Sequence, residues 1–446
     1  MIGVRRPLWE GRKALHKTIR VKRGIEPVLD YLAVFMVILG SHSMYYSMTD
    51  VSLHINELTI VVLAARCFLY IRCFRITYFR TFLYRFLIFA AIWTAYILIY
   101  AFVAGGSRKT LFLRFDITFL LLVAYMAMFA YDRPLSELFR MYANTITIIA
   151  AVSLVFWVVG PLGGILQPSG RINIYWGQAR TVTNYYYMFF SWQHDAEILG
   201  NIIYRNIAIF TEAPMFSLHL SVAFMFDYLL LKRRGTLRML LYAVSFLSAV
   251  SVTGILLVIM AVGADKLYVY LIEPMRRRTT RIGIIVVIPI LIVALIVSAN
   301  LLSDKIESSS GSSRMVDYMA GFFGWMENPW FGAGFGDTAT RISYMTAERL
   351  AKAENGFSNS IMAVLCEGGV WFFLCYLFAF AHRVAAAVRA KKPELLIIAL
   401  LWVYLFLTTT FAHTTLMLCF LASAFAEYYV IPGGVRRQRL AIRRRT

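Results

Sequence analysis

Apolar runs alternate with short polar breaks along almost the whole chain. Each is close to the roughly 20 residues that a helix needs to cross a ~30 Å hydrocarbon core. They fall at 28–47, 51–71, 84–104, 111–131, 139–160, 208–231, 237–251, 253–272, 282–301, 359–381, 394–411 and 414–430. The stretches 237–272 and 394–430 are too long for one helix each, and polar breaks at Ser251–Thr253 and His413–Thr415 divide them into tight hairpins. Prolines punctuate many of the run ends, among them Pro27, Pro134, Pro161 and Pro393, as helix stop and start chemistry requires. The pattern predicts an all-α polytopic membrane protein of about twelve transmembrane helices. A single domain spans 28–430, between a basic segment 1–27 and a basic tail 431–446.

Of the 446 residues, 60% are hydrophobic and 15% charged, against about 45–50% and about 25% in soluble proteins. That balance cannot clothe a core of this size in charged surface, which excludes a soluble enzyme and, more firmly, a disordered or collagen-like chain. The net charge is +21, which in a soluble protein would suggest nucleic acid. Here the basic residues cluster between apolar runs, in 1–27, at Arg72–Arg85, Arg133 and Arg140, Lys232–Arg238, Lys266–Arg281 and Arg383–Lys392, and in the tail. The positive-inside rule puts these groups in the cytoplasm, and twelve spans bring both termini there with every cluster on one side. No nucleic acid is expected as partner. The leader is long and no small-residue cleavage site follows the first apolar run, so that run is expected to stay as an anchor. The leader itself reads as an interfacial helix on anionic lipid or as a solvated tail. The five cysteines show neither metal-like spacing nor a disulfide framework.

Two outside loops, about 161–207 and about 302–358, are far longer than the few residues that usually join helices, and long loops of this kind tend to be functional. Both are aromatic, with Tyr185-Tyr-Tyr-Met and Trp192 in the first and Trp325, Trp330, Phe331 and Tyr344 in the second. They suit packed loops or a sugar-facing surface; the alternative is an aromatic belt at the headgroups. Arg171, Arg180, Arg205, Arg314, Arg341 and Arg349 lie in these loops. Outward positive charge runs against the topogenic bias, and paired guanidinium donors suit phosphate. The blander reading is solvated charges paired with Glu348, Glu354 or Asp337.

Arg205 and Glu212 are seven residues apart, two helical turns, so a helix would present both on one side. Pro214 is expected to distort that helix, which membranes tolerate beside a cavity. Glu212, an intramembrane carboxylate, is either a site residue or half of a structural ion pair. Asp116 and Arg66 are expected to be a buried pair or snorkelling groups. Phe331-Gly-Ala-Gly-Phe-Gly336 follows no alternating strand, so it reads as a tight turn needing positive φ rather than a dinucleotide loop. There is no Walker sequence, no Cys/His metal spacing and no Gly-x-Ser-x-Gly elbow.

Four passages together resemble the O-antigen polymerase/ligase superfamily, polytopic enzymes acting on undecaprenyl-diphosphate-linked glycans. They are Arg205-Asn-Ile-Ala-Ile-Phe-Thr-Glu212, Leu247-Ser-Ala-Val-Ser-Val-Thr-Gly254, the stretch from Ser313-Arg314 to Asn328-Pro-Trp-Phe-Gly-Ala-Gly-Phe-Gly336, and Gly356-Phe-Ser-Asn359 followed by Glu367-Gly-Gly369. The likeness covers about 205–370. Position 208, often glycine in that family, is Ala208, and the histidine that ligases carry before the asparagine is here Ser358. The resemblance therefore favours a Wzy-type polymerase of GT-C-like architecture over a lipid A-core ligase. A flippase or transporter is the rival from another class, and it should show two matched halves.

What the resemblance implies is metal-independent glycosyl transfer at the outer face of the bacterial cytoplasmic membrane, with no cofactor. Arg205 and Arg314 are the expected diphosphate clamps, with Arg341 as auxiliary. Glu212 is the candidate general base and His413 the alternative. Arg180, Arg171, Asn359 and Tyr318 complete the expected substrate-binding set. The expected partners are the lipid-linked oligosaccharide, the bilayer and a polysaccharide chain-length regulator.

Overall fold

The computed structural model describes residues 26–49, 54–73, 76–105, 109–193, 196–198, 201–272, 309–351 and 355–431. In that part of the chain the apolar runs fold as helices. They are α1 (Glu26–Leu39), the short α2 (Met44–Ser47), α3 (Ile55–Cys73), α4 (Ile76–Val103), α5 (Lys109–Asp132) and α6 (Ser136–Trp157). After the first long loop come α7 (Ala213–Met225), α8 (Thr236–Ala249) and α9 (Val252–Ile272), then α10 (Ser309–Glu327) and the short α11 (Ala339–Ser343) and α12 (Ala347–Ala351). The chain closes with α13 (Ser360–Ala390), α14 (Pro393–Thr408) and α15 (Thr415–Phe425). Among the described residues six helices are long and apolar enough to cross a membrane, at Phe79–Val103, Lys109–Asp132, Ser136–Leu162, Ala213–Leu230, Val252–Tyr270 and Ser360–Ala390. The protein is mostly helical and membrane-embedded. The expected segment 282–301 and both basic termini lie outside the described residues.

α7 is the central element. It is apolar on all sides and almost wholly buried, packing against α6, α8 and α9, as a helix without a polar face must. A π turn, Phe226–Leu230, ends it, where buried Asp227 accepts from Arg238 Nη1 at 2.5 Å and Tyr242 Oη at 2.9 Å. α13 is the second hub, against α10, α14 and α15. The chain breaks at both hairpins: Val250 is left-handed (φ 48°) between α8 and α9, and Thr414 caps α15.

Several expectations are corrected. The first run is helical only to Leu39, because His42 turns the chain at φ 62° before α2 begins. Arg66 is paired with Asp30, Nε to Oδ1 at 2.7 Å, and Arg133 and Tyr125 also bind that carboxylate. Asp116 instead accepts from Trp93 Nε1 at 2.7 Å.

The first long loop contains a few short strands within this mostly helical chain. β1 (Gly170–Trp176) and β2 (Gln178–Tyr185) pair antiparallel around Gly177, and β3 (Phe189–Ser191) adds to β2. Alternation drives this pairing: Ile172 and Ile174 are buried and Val182 lies opposite Ile172. A two-stranded ribbon, β4 (Ala196–Ile198) with β5 (Asn201–Ile203), follows. Gly177, at φ 67°, brings the β1–β2 tip against the second loop, where a Cβ would meet Gly356 N at 3.1 Å.

Candidate functional site

Arg205 does not open a helix. Residues 204–207 are irregular, Ala208 turns left-handed at φ 50°, and α7 starts only at Ala213 with Glu212 as its N-cap. Pro214 sits in the first turn, where its missing N–H costs nothing, so it starts the helix rather than bending it. Arg205 and Glu212 therefore share no helical face. Asn206 fixes the irregular stretch: its N donates to Ser248 O at 2.9 Å, and its Nδ2 donates to Ser248 Oγ at 3.1 Å and Ser153 Oγ at 3.2 Å. Arg205 then donates from Nε to Ala249 O at 3.1 Å and from Nη2 to Val250 O at 3.2 Å. The cation thus caps the carbonyl end of α8, where the helix dipole favours it.

Arg314 is exposed on α10 and lies within electrostatic reach of Tyr318 and Tyr404. Tyr404 donates to Thr253 O at 3.2 Å, beside the turn that Arg205 holds. Arg205 thus borders the turn 249–254, and Arg314 lies in the electrostatic neighbourhood of the tyrosine that caps it. Tyr318 donates to Leu407 O at 2.7 Å, and burial raises its phenol above the ordinary value, so it stays a neutral donor.

The second loop is a packed structure that runs beside α13. Asp317, Gly321 and Gly324 of α10 face Ser358, Met362 and Cys366 in turn. A Cβ on Gly321 would lie 2.5 Å from Met362 Cβ, and one on Gly324 2.8 Å from Cys366 Sγ. The contacts step forward along both helices, so α10 descends parallel to α13. At its foot α13 is broken at Gly369 (φ 60°, ψ −168°). The freed groups pair with the glycine-rich turn: Ala333 N with Cys366 O, Gly334 N with Glu367 O, Val370 N with Pro329 O and Trp371 N with Trp330 O, each at 2.9 Å. Gly332, Gly334 and Gly336 all have positive φ (67°, 114° and 77°), as the sequence required of this turn.

Glu367, at the break, gathers the site's remaining charge. It is buried, binds Arg341 Nη1 through Oε1 and accepts from Gly336 N through Oε2 at 3.0 Å. His413 Nε2 lies 3.1 Å from the same Oε2. Arg341 and His413 are thereby committed to a protein carboxylate. Higher up, Asp317 accepts from Arg349 Nη1, Ser358 N and Ser358 Oγ at 2.6, 2.9 and 2.6 Å, and Arg349 Nη2 also ties down Gly356 O at 2.6 Å. Asn359 is buried; its Oδ1 caps α13 through Ile361 N, while Nδ2 has no hydrogen-bond partner among the described residues.

The outstanding candidates are scattered. Arg180 stacks on Trp192, 4.4 Å from its centroid, and Trp192 donates to Thr211 O at 2.7 Å, next to half-buried Glu212. Arg171 is exposed and pairs with Thr183, ~20 Å of strand away from the tip at Gly177. The structure thus holds Arg205 at the 249–254 turn and brings Arg341 and His413 onto Glu367, but leaves Arg171 apart. Sequence reasoning assigned no role to Glu367 or Asp317. For Glu367 the signal was a carboxylate inside an apolar run; Asp317, one of several acids in its loop, gave none. Among the described residues no group of three or more His, Cys, Asp or Glu is placed to hold a metal ion. No protein-family model matches the chain, and no curated protein does.

Proposed function

We propose that this protein is a Wzy-type polymerase. It would join undecaprenyl-diphosphate-linked oligosaccharide repeat units into O-antigen or a related surface polysaccharide. One observation carries the reading: the four passages that resemble the polymerase/ligase superfamily, separated in sequence, meet in space. Arg205 and Asn206 bind 248–250, the Arg314 helix and the 328–336 turn bind 356–371, and α14 touches both pairs, Tyr404 donating to Thr253 O and Leu407 O accepting from Tyr318. Ala208 adds support, since the position that is often glycine in that family is left-handed here.

In this reading a sugar hydroxyl of one lipid-linked unit attacks the anomeric carbon of the growing chain. The new C–O bond forms as the bond to diphosphate breaks, and undecaprenyl diphosphate leaves with the electron pair. Negative charge grows on the diphosphate, so Arg205 and Arg314 stabilise the transition state. Glu212 takes the hydroxyl proton. His413, turned onto Glu367, holds the turn instead. The proposed topology, twelve spans with both termini in the cytoplasm, has this chemistry on the outer face of the inner membrane.

The test is purified protein with its lipid-linked repeat unit and EDTA, without nucleotide, run on a gel. A ladder of lengthening glycans is expected; one unchanged band from folded protein removes the polymerase reading.

A further inference from the structure

The face of α10 turned away from α13 is apolar and open. Met315, Met319, Phe322, Phe323 and Met326 are each more than 40% exposed, and their spacing puts them in one stripe along the helix. Trp330, 70% exposed, continues it past the helix end. The opposite face carries Asp317, Ala320, Gly321 and Gly324, all buried, so the stripe is what remains after α10 has satisfied α13. An uncovered face of this kind on a protein surface marks a binding surface.

Its direction is informative. α10 descends beside a helix long and apolar enough to cross the membrane, so the stripe runs from the start of that helix to its break at Gly369. From Met315 to Met326 the run is ~16 Å at 1.5 Å per residue, about half the thickness of a bilayer core. At the upper end, one residue before Met315, stands exposed Arg314. A cation at the surface end of an apolar track has the polarity of an amphiphile with an anionic head and a single long tail. Three methionines on the track suit a tail of many conformers, because thioether side chains adapt to irregular apolar shapes.

We infer that the Met315–Trp330 stripe is the docking track for the isoprenoid chain of the lipid diphosphate, with its headgroup held at Arg314. The inference rests on the polymerase reading for the identity of the amphiphile. It adds where the lipid lies, and it explains why α10 is apolar on the face turned away from α13.

The test uses the full-length protein in phosphatidylcholine nanodiscs and a polyprenyl diphosphate carrying a photoreactive group in its chain. Labelling is expected within 315–330, competed by unlabelled polyprenyl diphosphate but not by phosphatidylglycerol. Arg314→Gln should weaken it roughly tenfold, the scale of one charge-assisted contact. Equal competition by phosphatidylglycerol would make the stripe an ordinary lipid-facing surface and overturn the proposal. So would labelling confined to other peptides of the wild-type protein, a result that depends on no variant's folding. Labelling at 315–330 with no glycan ladder would keep the track and remove the polymerase, whereas a ladder without labelling there would do the reverse.

Discussion

Arg205 shows how a side chain's role depends on the backbone it meets. Its two guanidinium bonds go to adjacent carbonyls, Ala249 and Val250, a geometry that needs a planar fork. Lysine keeps the charge but loses the fork. Arg205→Lys is therefore expected to slow chain extension about 10²-fold, the usual cost of one transition-state donor. Arg171→Lys, at the far end of the hairpin, should stay within about a factor of two, as surface substitutions do. Initial rates of ladder formation for the two variants check this, and equal losses would refute the clamp. The seven-residue spacing to Glu212 pointed to a shared helical face, and it misled. Asn206 spends its side chain on Ser248 and Ser153, so the backbone around it is held out of a helix by groups remote in sequence.

Between elements, the decisive junction is the foot of α10 against the break in α13. Four backbone hydrogen bonds close it, and Glu367 clamps it from the side by holding Arg341, Gly336 N and His413. Glu367→Gln would leave half-buried Arg341 without the carboxylate it binds. Losing one partner of a buried pair costs about 3–5 kcal/mol, so the detergent-solubilised variant should unfold well below the wild-type temperature. An unchanged midpoint would mean that the junction does not depend on the charge. The glycine-rich turn was legible in advance because positive φ is a local demand. The strands were signalled by the alternation in Arg171-Ile-Asn-Ile-Tyr-Trp176, but the helical periodicity of the surrounding runs outweighed so short a signal. The break at Gly369 gave no comparable warning, since Gly368-Gly369 can also pass through a helix.

Across the whole molecule, the proposed topology puts the basic clusters and the long loops at opposite ends. At one end Asp227 gathers Arg233 and Arg238, and Asp265 binds Arg234 at 2.8 Å. The strands and the packed α10 lie at the other end in the proposed topology. Tyr175→Cys, on an exposed strand position, should react with a membrane-impermeant maleimide added to intact spheroplasts. Lys232→Cys, beside the basic cluster, should react only after permeabilisation. The reverse pattern would invert the topology and put the proposed chemistry on the wrong side.

Hydrophobic segment length and the distribution of arginine and lysine were enough to make this a helical membrane protein, because the bilayer enforces both one segment at a time. The tight turn at 331–336 was equally local, since only glycine takes positive φ freely. Tertiary structure decided the rest: that Arg205 is held at the 249–254 turn, that Arg341 and His413 are spent on Glu367, and that α10 lies beside α13. Each of these is a contact between residues far apart in the chain, so its energy depends on how the helices pack and leaves no periodic trace in the sequence.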